Sequence, residues 1–215
     1  MPFMNIKNII SCCVLLLVVS CASEKPDGKT EAEVLYKEAS ALIKDERFLL
    51  ATEKLNLIRS QYPYSFYATP AELMLAEVLF KQESYVESAA AFILFRDLHP
   101  KHKRSDYVVF MIAESFYKQI PDTFDRDLAP AVEAIKYYKE FQSKYPNSKF
   151  GKDAKKKIAE CNSMIEDKEK YIADFYFKTE VYDAARWRYL DIIKNFTDKK
   201  LYSHSASRVI QTSML

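Results

Sequence analysis

Apolar residues recur along this chain at helical spacing. Val34, Leu35, Ala39, Leu42 and Ile43 form one stripe, and Ala131, Ala134, Ile135, Tyr138 and Phe141 form another. This is the pattern of a helix with one buried face. No segment sustains the period-two alternation of a half-buried strand. Only two glycines, Gly28 and Gly151, serve the 215 residues, too few for the turns of a β-rich protein of this size. The pattern predicts an all-α chain, with helices near 31–45, 47–61, 67–82, 84–98, 104–119, 128–144, 149–164, 166–178, 182–195 and 201–213.

Small residues and prolines repeat at a longer interval. Ala39, Ala51 and Pro63 are each 12 apart, and Ala76, Ser88 and Pro100 repeat the set, 37 residues on. Ala134 and Pro146 supply its second half again, with Ala113 nine residues further upstream than that spacing expects. Ala173 and Ala185 are 12 apart once more, and Thr197 stands where proline would be. This is the tetratricopeptide pattern, a helix–turn–helix of about 34 residues. Small side chains let the paired helices approach closely, and proline ends the second helix. One pair cannot bury its own apolar face, so pairs must stack. The expected architecture is an all-α, tetratricopeptide-like solenoid of about ten helices, roughly five repeats, over residues 31–215. The excess in the third repeat falls in the polar stretch Lys118–Asp127, expected as an inserted loop. Insertions in solenoids often mark the binding face. Tyr62, Tyr145 and Phe196 precede helix-ending positions and are expected to plug the seams between pairs.

The first twenty residues follow a different pattern. Lys7 gives a positive start, and Ile9 to Val19 is apolar except for Ser11. That run suits a signal-peptide core and is too short to span a bilayer, which takes roughly 20 residues. It closes in Leu17-Val18-Val19-Ser20-Cys21, which resembles the bacterial lipobox. By that resemblance, residues 1–20 are a lipoprotein signal peptide cut before Cys21, which is acylated on its sulfur and its new amine. Two or more acyl chains anchor a protein stably where one does so only marginally. Residues 21–30, with Pro26, Asp27 and Gly28, then form a flexible tether. The alternatives are an ordinary secretory signal cut nearby and a coincidental cysteine.

Charge and chemistry narrow the function. Lys and Arg number 32 against 30 acids, a net charge of +2 that falls to +1 once Lys7 leaves with the signal. There is no electrostatic case for nucleic acid. Cys12 and Cys13 leave too and Cys21 carries lipid, so Cys161 remains without a disulfide framework, a small buried apolar residue. His99 and His102, in a solvated His-Pro-Lys-His loop, and the distant His204 do not make the three or four converging ligands of a metal site. No nucleophile elbow or glycine-rich phosphate loop occurs. No cofactor, metal or catalytic activity is expected. Lys152, Lys155, Lys156 and Lys157 open a helix as a solvated face able to meet anionic lipid heads.

In such solenoids the first helix of each pair lines the concave surface. The register puts Glu33, Tyr36, Ser40 and Ile43 there, then Pro70, Leu73, Glu77 and Phe80, then Tyr107, Phe110, Glu114 and Tyr117, and finally Asp167, Lys170, Asp174 and Phe177. A peptide groove through Tyr36, Leu73, Phe80, Tyr107, Phe110 and Tyr117 offers aromatic contact area, with carboxylates to set register. Inter-repeat core is the alternative for each of these side chains.

Further motifs accompany the lipobox and the repeats. They are Asp125-Arg126-Asp127, Tyr145-Pro146-Asn147-Ser148, Asp153-Ala154, Ile172-Ala173-Asp174-Phe175-Tyr176-Phe177-Lys178 and Tyr182-Asp183-Ala184-Ala185-Arg186-Trp187-Arg188. Together they resemble the BamD family, lipoproteins of the outer-membrane β-barrel assembly machinery, across essentially all of residues 21–200. The resemblance implies a non-enzymatic scaffold on the periplasmic face of the outer membrane, held by its lipid anchor alone. Its implied partners are the periplasmic domains of the barrel-forming subunit, unfolded outer-membrane protein precursors and further accessory lipoproteins. Arg188, closing the Ala-Ala-x-x-Arg block, takes the place of the partner-contacting arginine, beside Arg186 and Trp187. Thr197 departs from the family's proline and predicts a looser helix end. The stop at Leu215, inside the last helix or pair, predicts a curtailed C-terminal interface. The competing reading is a periplasmic tetratricopeptide lipoprotein coordinating cell-wall synthesis or secretion.

Overall fold

The computed structural model describes residues 30–214. The signal peptide, Cys21 and all of the tether except Thr30 lie outside the described residues. Within them the chain forms nine α-helices and no strand. These are α1 (Glu31–Lys44), α2 (Phe48–Gln61), α3 (Ala68–Lys81), α4 (Tyr85–Leu98), α5 (Ser105–Tyr117), α6 (Ala129–Lys144), α7 (Gly151–Lys178), α8 (Tyr182–Asn195) and α9 (Lys199–Ser213). Each packs chiefly on its chain neighbours, the arrangement of a helical-pair solenoid.

The small residues sit where the pattern requires them. Ala39, Ala51, Ala76, Ser88, Ala113, Ala134, Ala173 and Ala185 all have 0% exposure, at the seams between paired helices. Around them lie three cores. Leu55, Ile58, Leu75 and Val78 join α1 to α3. Phe92, Phe95, Val108, Ile112, Tyr138 and Phe141 anchor the largest, through α3 to α7. Tyr189, Ile192 and Leu201 hold α8 and α9 to the end of α7.

Two of the ten helical segments read from the pattern are one. Residues 149–164 and 166–178 fall within the single 28-residue α7, roughly 42 Å long at 1.5 Å per residue. No glycine or proline follows Gly151 before Lys178 to interrupt the ladder. Ala154, Ile158, Cys161 and Ile165 pack into the largest core, and Ala173, Tyr176 and Phe177 into the last one. The helix is therefore the beam joining the final pair to the rest.

The turns inside the first, second and fourth pairs share one design. Glu46, Glu83 and Glu180 take left-handed backbone, with φ of 56°, 61° and 63°. At the first, Arg47 N–H donates to Leu42 O at 2.8 Å and Glu46 N–H to Ile43 O at 3.2 Å. Glu83 with Ser84, and Glu180 with Val181, repeat both bonds. This is the Schellman closure, usually built on glycine. Between pairs, Tyr62, His99 and Tyr145 precede prolines and leave the helical region with ψ of 49°, 57° and 58°. Phe196, before Thr197, instead extends to ψ 147°, and Asp198 caps α9 by accepting from Leu201 N–H at 2.8 Å.

Candidate interaction surfaces

The residue after each first-helix alanine is Ser40, Glu77, Glu114 or Asp174. Each reaches forward to the next first helix. Ser40 Oγ lies 3.9 Å from Met74 Sδ, and Glu77 pairs with Arg104 at 2.9 Å. Glu114 is buried, pairs with Lys157 of α7 and accepts from the Tyr138 hydroxyl at 2.5 Å. Burial first, then the Glu114 charge, pushes the Tyr138 phenol far up. Asp174 accepts from the Tyr189 hydroxyl at 2.6 Å, with His204 Nε2 at 2.9 Å and Lys170 Nζ at 3.2 Å. Burial alone would raise the Asp174 carboxyl. The bonds from Tyr189, His204 and Lys170 outweigh it and hold the carboxyl below its usual value. These acids, read as register points for a peptide, are spent instead on stapling pair to pair.

The expected groove side chains divide. Tyr36, Phe80, Tyr107 and Tyr117 are half-buried and keep one face outward. Tyr36 packs on Tyr67 at 5.3 Å and Phe80 on Tyr85 at 5.2 Å. Tyr107 lies under Arg104, 4.1 Å from its ring centre, with its phenol pushed up to about 12 mainly by burial. Tyr117 donates to Glu160 at 2.7 Å, and that bond with burial pushes it up to about 12. Leu73 and Phe110 are not groove residues. Both are core side chains, because the next pair closes over them; Phe110 stacks on Phe150 at 4.6 Å and packs on Phe141 at 5.6 Å.

Other residues also settle differently from their pattern. His99 bonds Glu72 at 2.7 Å, and His102 packs edge-on to Phe95 at 5.1 Å, so neither imidazole is merely solvated. Burial, then His99 and neighbouring cations, lowers the His102 pKa. Lys157 leaves the solvated lysine face to meet Glu114, while Lys152, Lys155 and Lys156 remain exposed. Tyr145 and Phe196 do pack at seams; the Tyr62 hydroxyl bonds Glu31. Cys161 is fully buried, its thiol pushed up to about 11 by that burial. Among the described residues no group of three or more His, Cys, Asp or Glu could hold a metal ion.

The inserted segment lies along α7. Lys168 Nζ donates to Arg126 O, Phe124 meets Tyr171 edge-on at 5.6 Å, and Asp127 accepts from Ala129 N–H at 3.0 Å to start α6. It leaves two open clefts. One of about 360 Å³ is lined by Tyr117, Ile120, Pro121 and Met164. The other, of about 320 Å³, runs between Phe124, Tyr171 and Phe175, with Lys170, Lys178 and Asp167 at its walls. Tyr171 and Phe175 are half exposed. The groove register reaches their walls at Tyr117, Asp167, Lys170 and Asp174, and misses Ile120, Pro121 and Phe124 of the insertion and Tyr171 and Phe175 beside them.

On α8, Ala185, Tyr189 and Ile192 face inward. Trp187 stands on the opposite side, 76% exposed, with half-exposed Leu190 one turn on. Arg186 and Arg188 flank it at 100° to either side. Arg186 pairs with Asp183 at 3.2 Å and Arg188 with Glu169 of α7 at 3.4 Å. The structure thus brings the three expected partner-binding residues onto one exposed helix, with an arginine on each flank of the indole.

Residues 28–212 match the family described as YfiO, outer membrane lipoprotein. The chain is 27% identical to the outer membrane protein assembly factor BamD of Vibrio cholerae, over 91% of this chain and 85% of that one. It is 26% identical to the BamD of Neisseria gonorrhoeae, over 93% and 80%, and 26% identical to that of Rickettsia prowazekii, over 99% and 86%. With the solenoid fold and a family match spanning almost all the described residues, the chain belongs to the BamD (YfiO) family of outer membrane lipoproteins.

Proposed function

We propose that this protein is a non-enzymatic scaffold of the outer-membrane β-barrel assembly machinery, held at the periplasmic face of the outer membrane by lipid on Cys21. Its α8 surface binds the periplasmic domains of the barrel-forming subunit. Its concave face, from Tyr36 to the clefts beside the insertion, receives unfolded barrel precursors, with further accessory lipoproteins as additional partners. The observation that carries this is Trp187, 76% exposed between two arginines on the outer side of α8. An uncovered indole flanked by arginine is the composition of an interface hot spot, and it sits on a chain whose relatives are named assembly factors.

A pull-down through the lipidated protein tests the reading, with the barrel-forming subunit expected at near-equal amounts. A wall-synthesis enzyme or secretion component in its place would favour the competing role. Arg188→Glu should weaken binding to purified periplasmic domains by ~2 kcal/mol, a typical hot-spot loss. Helical circular dichroism should be unchanged, since the Arg188–Glu169 pair is partly exposed and contributes little. Wild-type affinity in that folded variant removes Arg188 from the interface. Cys21→Ala should leave the domain folded and release it from the membrane; retention in the membrane pellet of cells lacking the partner would dismiss the lipid anchor.

A further inference from the structure

The turns between pairs share one edge of the first three repeats. There the C-termini of α2, α4 and α6 meet the N-termini of α3, α5 and α7, and α1 begins on the same edge because neighbouring helices run antiparallel. The first turn, Tyr62 to Tyr67, is tied to that start by the Tyr62–Glu31 bond and the Tyr36–Tyr67 contact. It carries Tyr64, fully exposed, and Phe66, 86% exposed. The second turn presents Lys101 and Lys103, and the third Lys149, followed by Lys152 and Lys155 at the head of α7. The second and third adjoin: Ser148 Oγ donates to Asp106 at 2.8 Å, and His102, Lys103, Lys144 and Asn147 line one open cleft between them.

All five lysines are exposed, and none has a salt-bridge partner among the described residues. The acids nearby are engaged: Glu31 with Tyr62, Glu72 with His99 and Asp106 with Ser148, leaving Asp153 as the exposed acid among them. The opposite edge is balanced in its first two turns, where Asp45 and Glu46 stand beside Lys44 and Arg47, and Glu83 beside Lys81.

We infer that this edge docks flat on an anionic phospholipid surface, with Tyr64 and Phe66 in the headgroup layer and the lysines over the lipid phosphates. The inference rests on the lipid-anchor reading for its geometry. Residues 22–30 separate Cys21 from α1, so acylated Cys21 keeps the aromatic turn within about 35 Å of the bilayer. Aromatic side chains favour the membrane–water interface, and each lysine near an anionic surface adds about fivefold to partitioning. Docking turns a tether into an orientation: the edge faces lipid, and the concave face and α8 stand clear of it.

Tryptophan quenching by brominated lipid measures the contact. The lipidated full chain carrying Trp187→Phe with Phe66→Trp is placed in vesicles of brominated phosphatidylcholine with phosphatidylglycerol. Leu49→Trp, at the exposed start of α2 on the opposite edge, is the control. Quenching at position 66 should be at least twice that at 49; equal quenching, or none, overturns the inference. Unlipidated Cys21→Ser protein should partition onto phosphatidylglycerol vesicles and not onto pure phosphatidylcholine. The triple variant Lys101→Glu, Lys103→Glu, Lys149→Glu should cut that partitioning at least about 100-fold with its circular dichroism unchanged. Unaltered partitioning, or loss of the barrel-forming subunit in its place, assigns the edge to something other than lipid. This arm carries no acyl chain, so its failure is separate from failure of the anchor, which the Cys21→Ala fractionation reads.

Discussion

Glu114 and Asp174 occupy the same place in two repeats, each following a first-helix alanine, and each accepts a hydrogen bond from the tyrosine four residues after the second-helix small residue. Their surroundings differ. Glu114 lies in the largest core, its side chain 10% exposed, and its second partner is the ammonium of Lys157 on α7. Asp174 lies in the smallest core, 22% exposed, with a ring nitrogen of His204 and the half-exposed Lys170. The same register therefore builds a more buried staple in the middle and a more exposed one at the end. A solenoid's stability is approximately a sum of repeat and interface terms. The last pair, joined to the rest through the single beam of α7, is then the unit poised to open first, next to the surface proposed for partner binding.

The sharpest way to break this comparison is to remove both carboxylates in turn. Glu114→Ala leaves Lys157 and Tyr138 without their acceptor in a low-dielectric site. Breaking a buried pair costs about 3–5 kcal/mol, and because Lys157 can swing toward solvent the lower end, ~3 kcal/mol, is expected. Urea unfolding followed by circular dichroism measures it. Asp174→Ala should cost less, ~1.5 kcal/mol, since its bonds are charge-assisted but partly screened. The chain's one tryptophan, Trp187, sits on α8, so its fluorescence reports the last pair while circular dichroism reports the whole. Asp174→Ala should move the fluorescence transition to lower urea than the dichroism transition. Coincident transitions would make the solenoid one cooperative unit and end the distinction.

Acid should act on the same asymmetry. The Asp174 carboxyl is held below its ordinary 3.8, with hydrogen bonds overcoming the upward push of burial. A depressed carboxyl contributes stability above its unfolded pKa and loses it as pH falls through the folded one. Between pH 5 and pH 3 the Trp187 transition should therefore shift down in the wild type. In Asp174→Ala that part of the shift should be absent. An equal shift in both proteins would assign the acid sensitivity to other carboxylates.

Much of this was legible in the residues. The twelve-residue spacing of small side chains located the seam inside three of the four pairs, because close approach tolerates nothing larger and the pattern is local. The carboxylate staples were visible only as polar positions. Lys157 is 43 residues from Glu114 and His204 is 30 from Asp174, and no periodicity pairs residues across repeats. Leu73 and Phe110 were misplaced for the same reason: their register faces the groove, but the following pair, through Phe150, closes over Phe110. The continuity of α7 follows from an absence of breakers, a weaker signal than a proline. The left-handed glutamates carried a signal that went unread: each stands seven residues after its alanine, at 46, 83 and 180.

Those glutamates supply the finest test. A non-glycine residue in the left-handed region costs roughly 1–2 kcal/mol, and glycine there recovers most of it. Glycine also loosens the unfolded chain, by roughly 0.4–1 kcal/mol. The net expectation for Glu83→Gly, in the second pair, and Glu180→Gly, in the last, is a gain of ~0.5 kcal/mol each. The Schellman bonds run through backbone and survive the substitution. What separates the two variants is where the gain is read. If the last pair opens on its own, Glu180→Gly should raise the Trp187 transition and leave the main dichroism transition in place, while Glu83→Gly should do the reverse. If one cooperative transition governs the molecule, both variants should raise both signals equally. Destabilisation by either glycine would mean that the glutamate side chain, not its backbone angle, is what that turn requires.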